Sequence, residues 1–180
     1  MKGIVFTEFL DMVEEKFGYE VVDQIIEDAQ LESKGVYTSV GTYKHSEIVQ
    51  LLMNLSDTVK VDPNVLLKEF GIYLFDTFLK TYPTFFTSVD NAFDFLESID
   101  KHIHVEVLKL YPDATLPKFL SERFDDNSMI MTYISDRKMS ALAHGLIERS
   151  IKHYREDYSL EIENISEDGS KVKFIIKNNS

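Results

Sequence analysis

Five histidines, at positions 45, 102, 104, 144 and 153, are the nitrogen donors this 180-residue chain can offer a metal, and with no cysteine the remaining ligands are carboxylate, Met and Tyr. Disulfides, iron–sulfur clusters, thiolate haem, cysteine zinc sites and cysteine nucleophiles are therefore excluded. No two histidines have the HExxH spacing of a helical zinc hydrolase site. His102 and His104, two apart on a helix, are separated by about 200° around its axis, so only one of them can point inward. On a helical wheel His102 falls among Ser98, Glu106 and Lys109, whereas His104 falls between Phe93 and Leu108 at the flank of an apolar stripe. A half-buried histidine in that position is as a rule a core residue with a hydrogen-bond partner, and in the minority of cases a metal ligand.

Tyr133, Ser135 and Arg137 alternate where a strand pattern runs into a helix pattern, which places a phenol, a hydroxyl and a permanent positive charge in a row. Alternate strand residues are about 6.5–7 Å apart, a spacing that suits an extended anion or two carboxylates better than a single phosphate. In isolation such a triplet is more often a solvated polar face. No G-x-S-x-G and no glycine-rich phosphate loop is present, so neither a serine nucleophile nor a nucleotide cradle is indicated. The acidic clusters Glu14-Glu15, Asp125-Asp126 and Glu161/Glu163 read as solvated faces, without the spaced loop that calcium requires.

The elements that must hold these residues follow from hydrophobic periodicity. Helices are expected over residues 2–17 (stopped by Gly18), 20–29 and 46–55, with Gly35 and Gly41 in the loop between the last two. Asp62-Pro63 is a cap followed by a first-turn proline, and the helix after it is apolar on nearly every side, as befits one that is buried or flanks a ligand. A long helix is expected over 91–110, a strand over 129–135, a helix over 138–154, and a hairpin of 160–165 with 171–176. Helices first and an antiparallel sheet with long helices second make one α+β domain over 1–180, a helical N-terminal lobe (1–60) packed on a mixed C-terminal lobe (61–180).

With 31 acidic against 19 Lys and Arg side chains the net charge is −12, which opposes nucleic-acid binding and docking on anionic membranes. Stretches free of charged residues reach nine, as over 48–56, against the ~20 apolar residues of a membrane span, and Glu8 and Asp11 interrupt any signal-peptide core. The chain is expected to be cytoplasmic. At this length a domain buries about 70% of its unfolded surface, enough to enclose one sizeable ligand.

A histidine on the flank of an apolar stripe, followed by a carboxylate clamp, brings a family into view. The Met1-Lys2-Gly3 opening, the segment Ile103-His104-Val105-Glu106-Val107 leading to Leu110-Tyr111-Pro112, Pro117, the Y-x-S-x-R motif as Tyr133-Ile134-Ser135-Asp136-Arg137, and Gly145-Leu146-Ile147 together resemble the H-NOX family of haem nitric oxide/oxygen-binding domains, over essentially the whole chain. The resemblance implies haem b (iron protoporphyrin IX) buried between the lobes, His104 as proximal iron ligand, Tyr133, Ser135 and Arg137 on the propionates, and Pro117 against the porphyrin. It also implies a pocket formed by Val5, Phe9, Leu74, Phe78, Leu142 and Leu146. Either Asp100, one turn before His104, or a backbone carbonyl would orient the imidazole.

By the same resemblance the chain is a stand-alone sensor and not an enzyme. It would bind NO and CO, release His104 when NO binds, and signal to a separate histidine kinase or diguanylate cyclase/phosphodiesterase. Oxygen-binding relatives carry a distal tyrosine supported by a tryptophan and an asparagine, at positions that correspond here to Leu142, Phe9 and Leu74. With no donor there, stable O2 binding is not expected; Tyr73 and His144 are the two donors whose rotamers could change that. The rival from another class is a haem-free acidic protein-interaction domain, with His104 in the core and Arg137 on the surface.

Overall fold

A computed structural model describes residues 1–179. Its first half is helical: α1 (Gly3–Phe17), α2 (Tyr19–Glu27), α3 (His45–Val59) and α4 (Pro63–Thr81). The α4 N-terminus forms as its sequence requires, with the Asp62 side chain accepting from Asn64 N at 2.8 Å and Pro63 in the first turn. Phe6, Phe9, Met12, Ile25, Ile48, Leu51 and Leu55 are fully buried between these helices, and each contributes about 1.5–3 kcal/mol by leaving water. The loop between α2 and α3 closes over this core through Glu47. This buried carboxylate accepts from Ser33 Oγ and from Tyr37 Oη (2.8 Å), and the Tyr37 ring stacks on Phe6 at 4.5 Å.

The second half contains α5 (Pro83–Thr87), α6 (Ala92–Ser98), a π-helical turn (Ile99–Ile103), α7 (His104–Leu110) and α8 (Ser140–His153). The uniform helix expected over 91–110 is thus interrupted by one wide turn, in which His104 N donates to Ile99 O, five residues back. Four antiparallel strands complete the fold, β1 (Lys118–Arg123), β2 (Ser128–Ile134), β3 (Tyr158–Asn164) and β4 (Lys171–Asn178), in spatial order β1-β2-β4-β3. Their common inner face is Met129, Met131, Tyr133, Val172, Phe174 and Ile176, all buried against α6 and α8 residues such as Phe93, Leu96, Ala143 and Ile147. Sequence periodicity does not reveal β1, because Lys118, Glu122 and Arg123 leave it half charged and it is an edge strand.

Two apolar clusters result, one under α1–α3 and one under the sheet, and α4 serves both: Leu66, Leu67, Phe70 and Leu74 belong to the first and Phe75 to the second. Helix α8 lies directly on α4. A Cβ on Gly145 would stand 2.0 Å from Lys68 O, and one on Gly71 2.3 Å from Leu142 O, so the two backbones meet glycine to glycine. Ion pairs fasten the crossing on either side, Lys68 with Glu148 and Arg149 with Asp76 (2.8 Å). Because the obstacle at Gly145 is backbone and cannot swing aside, Gly145→Ala is expected to cost about 3 kcal/mol. Urea unfolding would show it as a lowered midpoint, and an unchanged midpoint would mean the helices separate freely.

Candidate functional site

His104 opens α7 immediately after the π turn, and its side chain is 17% exposed. His102, inside the turn, is exposed. The wide turn carries Asp100 under the imidazole, with Asp100 Oδ1 3.0 Å from His104 Nδ1, and the same oxygen accepts more weakly from Phe119 N at 3.4 Å. Of the two partners that sequence leaves open for the ring, the structure has the carboxylate. An acceptor at Nδ1 fixes the proton there and leaves the Nε2 lone pair available to a metal, the arrangement that raises the basicity of a ligating histidine. Phe119 packs beside the imidazole (6.0 Å between centroids) and also touches Tyr133 (5.7 Å). Pro117 lies half-buried in the segment between α7 and β1, two residues before Phe119.

The Tyr133–Arg137 segment is organised differently from a simple strand face. β2 ends at Ile134, and positions 135 and 137 are set by a turn: Ser135 N donates to Ser170 O (2.9 Å), Arg137 N to Ser135 Oγ (3.2 Å) and Lys138 N to Ser135 O (3.2 Å). Tyr133 is buried and its hydroxyl accepts from Met139 N at 3.0 Å, which leaves its own O–H free to donate. The Arg137 side chain is half-buried. Among the described residues no carboxylate pairs with it, and burial lowers its affinity for its proton. A guanidinium withdrawn from water without a counter-charge is unfavourable unless an anion is supplied.

The six expected pocket residues come from three helices, Val5 and Phe9 from α1, Leu74 and Phe78 from α4, Leu142 and Leu146 from α8, and all six pack in the first cluster. Phe78 and Leu146 also touch the second. Tyr73 has its phenol held protonated by burial and by the acids of α1, Glu15, Glu8 and Asp11, so it faces that acidic edge. His144 stands 3.5 Å from Glu148 beside Lys68, and burial and that lysine make it harder to protonate.

Three features escape sequence reasoning. Phe119 bridges His104 to Tyr133, and its only signal is its place just after Pro117. Asp113, in the turn after α7, receives Thr42 Oγ1 at 2.9 Å and Lys2 Nζ at 3.4 Å, while Lys2 also lies over the Tyr111 ring; the stretch that carries His104 is thereby tied to the N-terminal helices. His45, the first residue of α3, has its Nε2 buried without a hydrogen-bond partner, and its protonation is disfavoured by burial and then by the charge of Arg137. Nothing in local spacing connects positions 45 and 137.

The donor set therefore comprises an imidazole with an available Nε2, a guanidinium without an acidic partner among the described residues, the hydroxyls of Tyr133 and Ser135, and the apolar side chains of the two clusters. That chemistry fits a flat, largely apolar group bearing a metal at its centre and carboxylates at its edge. No curated protein matches the chain. Among solved structures, it is similar to the unliganded Fe(II) H-NOX protein of K. algicida, with 47% identity, 100% of this chain and 97% of that one covered, and a TM-score of 0.96. It is also similar to the Shewanella woodyi H-NOX in its Fe(II)CO state (38% identity, 99% and 94% covered, TM-score 0.84) and to the S. oneidensis H-NOX in its Fe(II)NO state (25% identity, 100% of both chains, TM-score 0.90). A family model described as haem-NO-binding matches residues 2–162. The chain belongs to the haem-NO-binding family, a family of haem-based gas sensors.

Proposed function

We propose that this protein is a nitric oxide sensor built on haem b, without catalysis of its own, that acts in the cytoplasm on a separate histidine kinase or diguanylate cyclase/phosphodiesterase. His104 would ligate the iron, Tyr133, Ser135 and Arg137 would hold the propionates, Pro117 would pack on the ring, and Val5, Phe9, Leu74, Phe78, Leu142 and Leu146 would line the pocket. The observation that carries this reading is the His104–Asp100 pair at 3.0 Å, which reserves Nε2 for iron. When bound, the haem would supply a ferrous iron able to take NO, and His104 would be the protein ligand whose bond that binding weakens.

A released His104 would keep its hydrogen bond to Asp100 and would move with the π turn and α7. The far end of α7 runs into the turn whose Asp113 is held by Thr42 and Lys2, so a shift of the helix reaches α1 and the loop before α3. In this reading residues 1–60 respond as the moving lobe against 61–180, a two-state change biased by the ligand.

Selectivity follows from the walls. Bound O2 carries partial negative charge and needs a donor, whereas NO binds ferrous haem tightly without one. Leu142, Phe9 and Leu74 donate nothing, Tyr73 faces the acids of α1, and His144 stands by Glu148. The reduced protein is expected to bind NO and CO and to form no stable O2 complex. Its absorption spectrum on exposure to air decides the matter: a persistent oxy-ferrous spectrum would show that a donor reaches the iron, and the absence of any haem band in the purified protein would favour the haem-free interaction domain.

A further inference from the structure

The chain carries 31 acidic side chains, yet among the described residues none is hydrogen-bonded or ion-paired to His45 at the start of α3 or to the Arg137 guanidinium in the turn before α8. His45 has its Nε2 sealed from solvent and unpartnered, and the half-buried Arg137 and the N-terminal ammonium are close enough for their charges to act on its ring. Among the described residues no acidic side chain acts on either group, and each feels the loss of water more than any neighbouring charge. A buried polar nitrogen left unpaired forfeits its full hydration, so native structures keep such groups only where a ligand, an ion or water completes them. An orphaned imidazole nitrogen close to a guanidinium, neither of them paired with an acid among the described residues, is completed by an anion from outside the chain.

We infer that His45 is a further contact for the carboxylates of the bound porphyrin, donating from Nε2 alongside the guanidinium of Arg137. This rests on the haem reading above and adds a ligand from the N-terminal half, where the Y-x-S-x-R segment supplies none. The neutral ring suffices, since an imidazole with its proton on Nε2 donates to a carboxylate without bearing charge. The nearby guanidinium favours that neutral form and leaves the carboxylate as the shared acceptor. Helix α3 would then hold the edge of the cofactor directly, beside the tie that Lys2 and Thr42 make to Asp113.

Haem transfer from the holoprotein to apomyoglobin tests this with wild type, His45→Ala and His45→Gln, each loaded either with iron protoporphyrin IX or with its dimethyl ester, which has no ionised carboxylate. His45→Ala should release the native haem about tenfold faster, the effect of losing one hydrogen bond to a charged group. His45→Gln, whose amide still donates, should restore most of the retention. With the ester all three proteins should release at one rate. Release of native haem from His45→Ala at the wild-type rate, or equal acceleration with the ester, overturns the inference while leaving the haem site intact. A wild-type protein that takes up no haem overturns both.

Discussion

His104→Gly is expected to lose its haem outright, or to hold it only when free imidazole is supplied, while His102→Gly keeps a wild-type absorption spectrum. The contrast is sharp because the two residues differ in what surrounds them and hardly at all in sequence position. His104 has Nδ1 committed to Asp100 and its ring against Phe119, so its Nε2 has a defined direction; His102 is in solvent. Removing His104 would remove the bond by which the protein holds the iron, and exogenous imidazole can replace the ring without replacing its tether to α7. Haem content and the visible spectrum, with and without imidazole, measure both halves of the expectation. A His104→Gly protein that keeps a full haem complement and an unaltered spectrum without imidazole would remove the assignment, as would loss of haem on changing His102.

Arg137→Ala is expected to accelerate haem loss by a factor between about thirty and a few thousand, since truncating one member of a desolvated charged pair costs about 2–5 kcal/mol. The side chain is half-buried and has no carboxylate of its own among the described residues, so the propionate is the partner the substitution would strand. Arg137→Lys should fall between the two, keeping the charge and losing the two-pronged geometry. Stopped-flow transfer to apomyoglobin reads the rate. If all three proteins release haem equally fast, the propionates are held elsewhere.

Sequence is most informative here where local chemistry and tertiary demand coincide. Asp62-Pro63 specifies the start of α4 by capping alone, and the density of apolar residues along that helix reflects its packing into both clusters. The strand alternation of Met129, Met131 and Tyr133 gives the inner face of β2 correctly, since all three are buried. The motif beyond it is another matter. Spacing of two suggests a continued strand, whereas the Ser135 hydroxyl diverts the backbone into a turn by accepting from Arg137 N, a local competition that alternation cannot express.

What stayed hidden is long-range or small. The π turn changes the helical period over five residues, too few to register in a hydrophobic pattern, yet it sets the place of Asp100 beneath His104. A wheel drawn with α periodicity still separates His102 from His104, because residues two apart lie on nearly opposite sides in either kind of turn. The approach of His45 to Arg137, like that of Lys2 to Asp113, joins segments far apart in the chain and is a property of the packed helices alone.

The position of α4 between the two clusters bears on how the molecule comes apart. Phe6, Phe9 and Leu51 are covered in part by Leu66, Phe70 and Leu74, while Phe75, the next residue along, closes the cluster under the sheet. A fragment ending at residue 60 would uncover the first cluster where α4 packs on it, and one beginning at residue 82 would lose Phe75 from the cluster under the sheet. Neither half is a module that recombination could lift out and graft elsewhere. Heat or denaturant should likewise find a single cooperative unit, in which the helices near the N-terminus melt together with a sheet they scarcely touch.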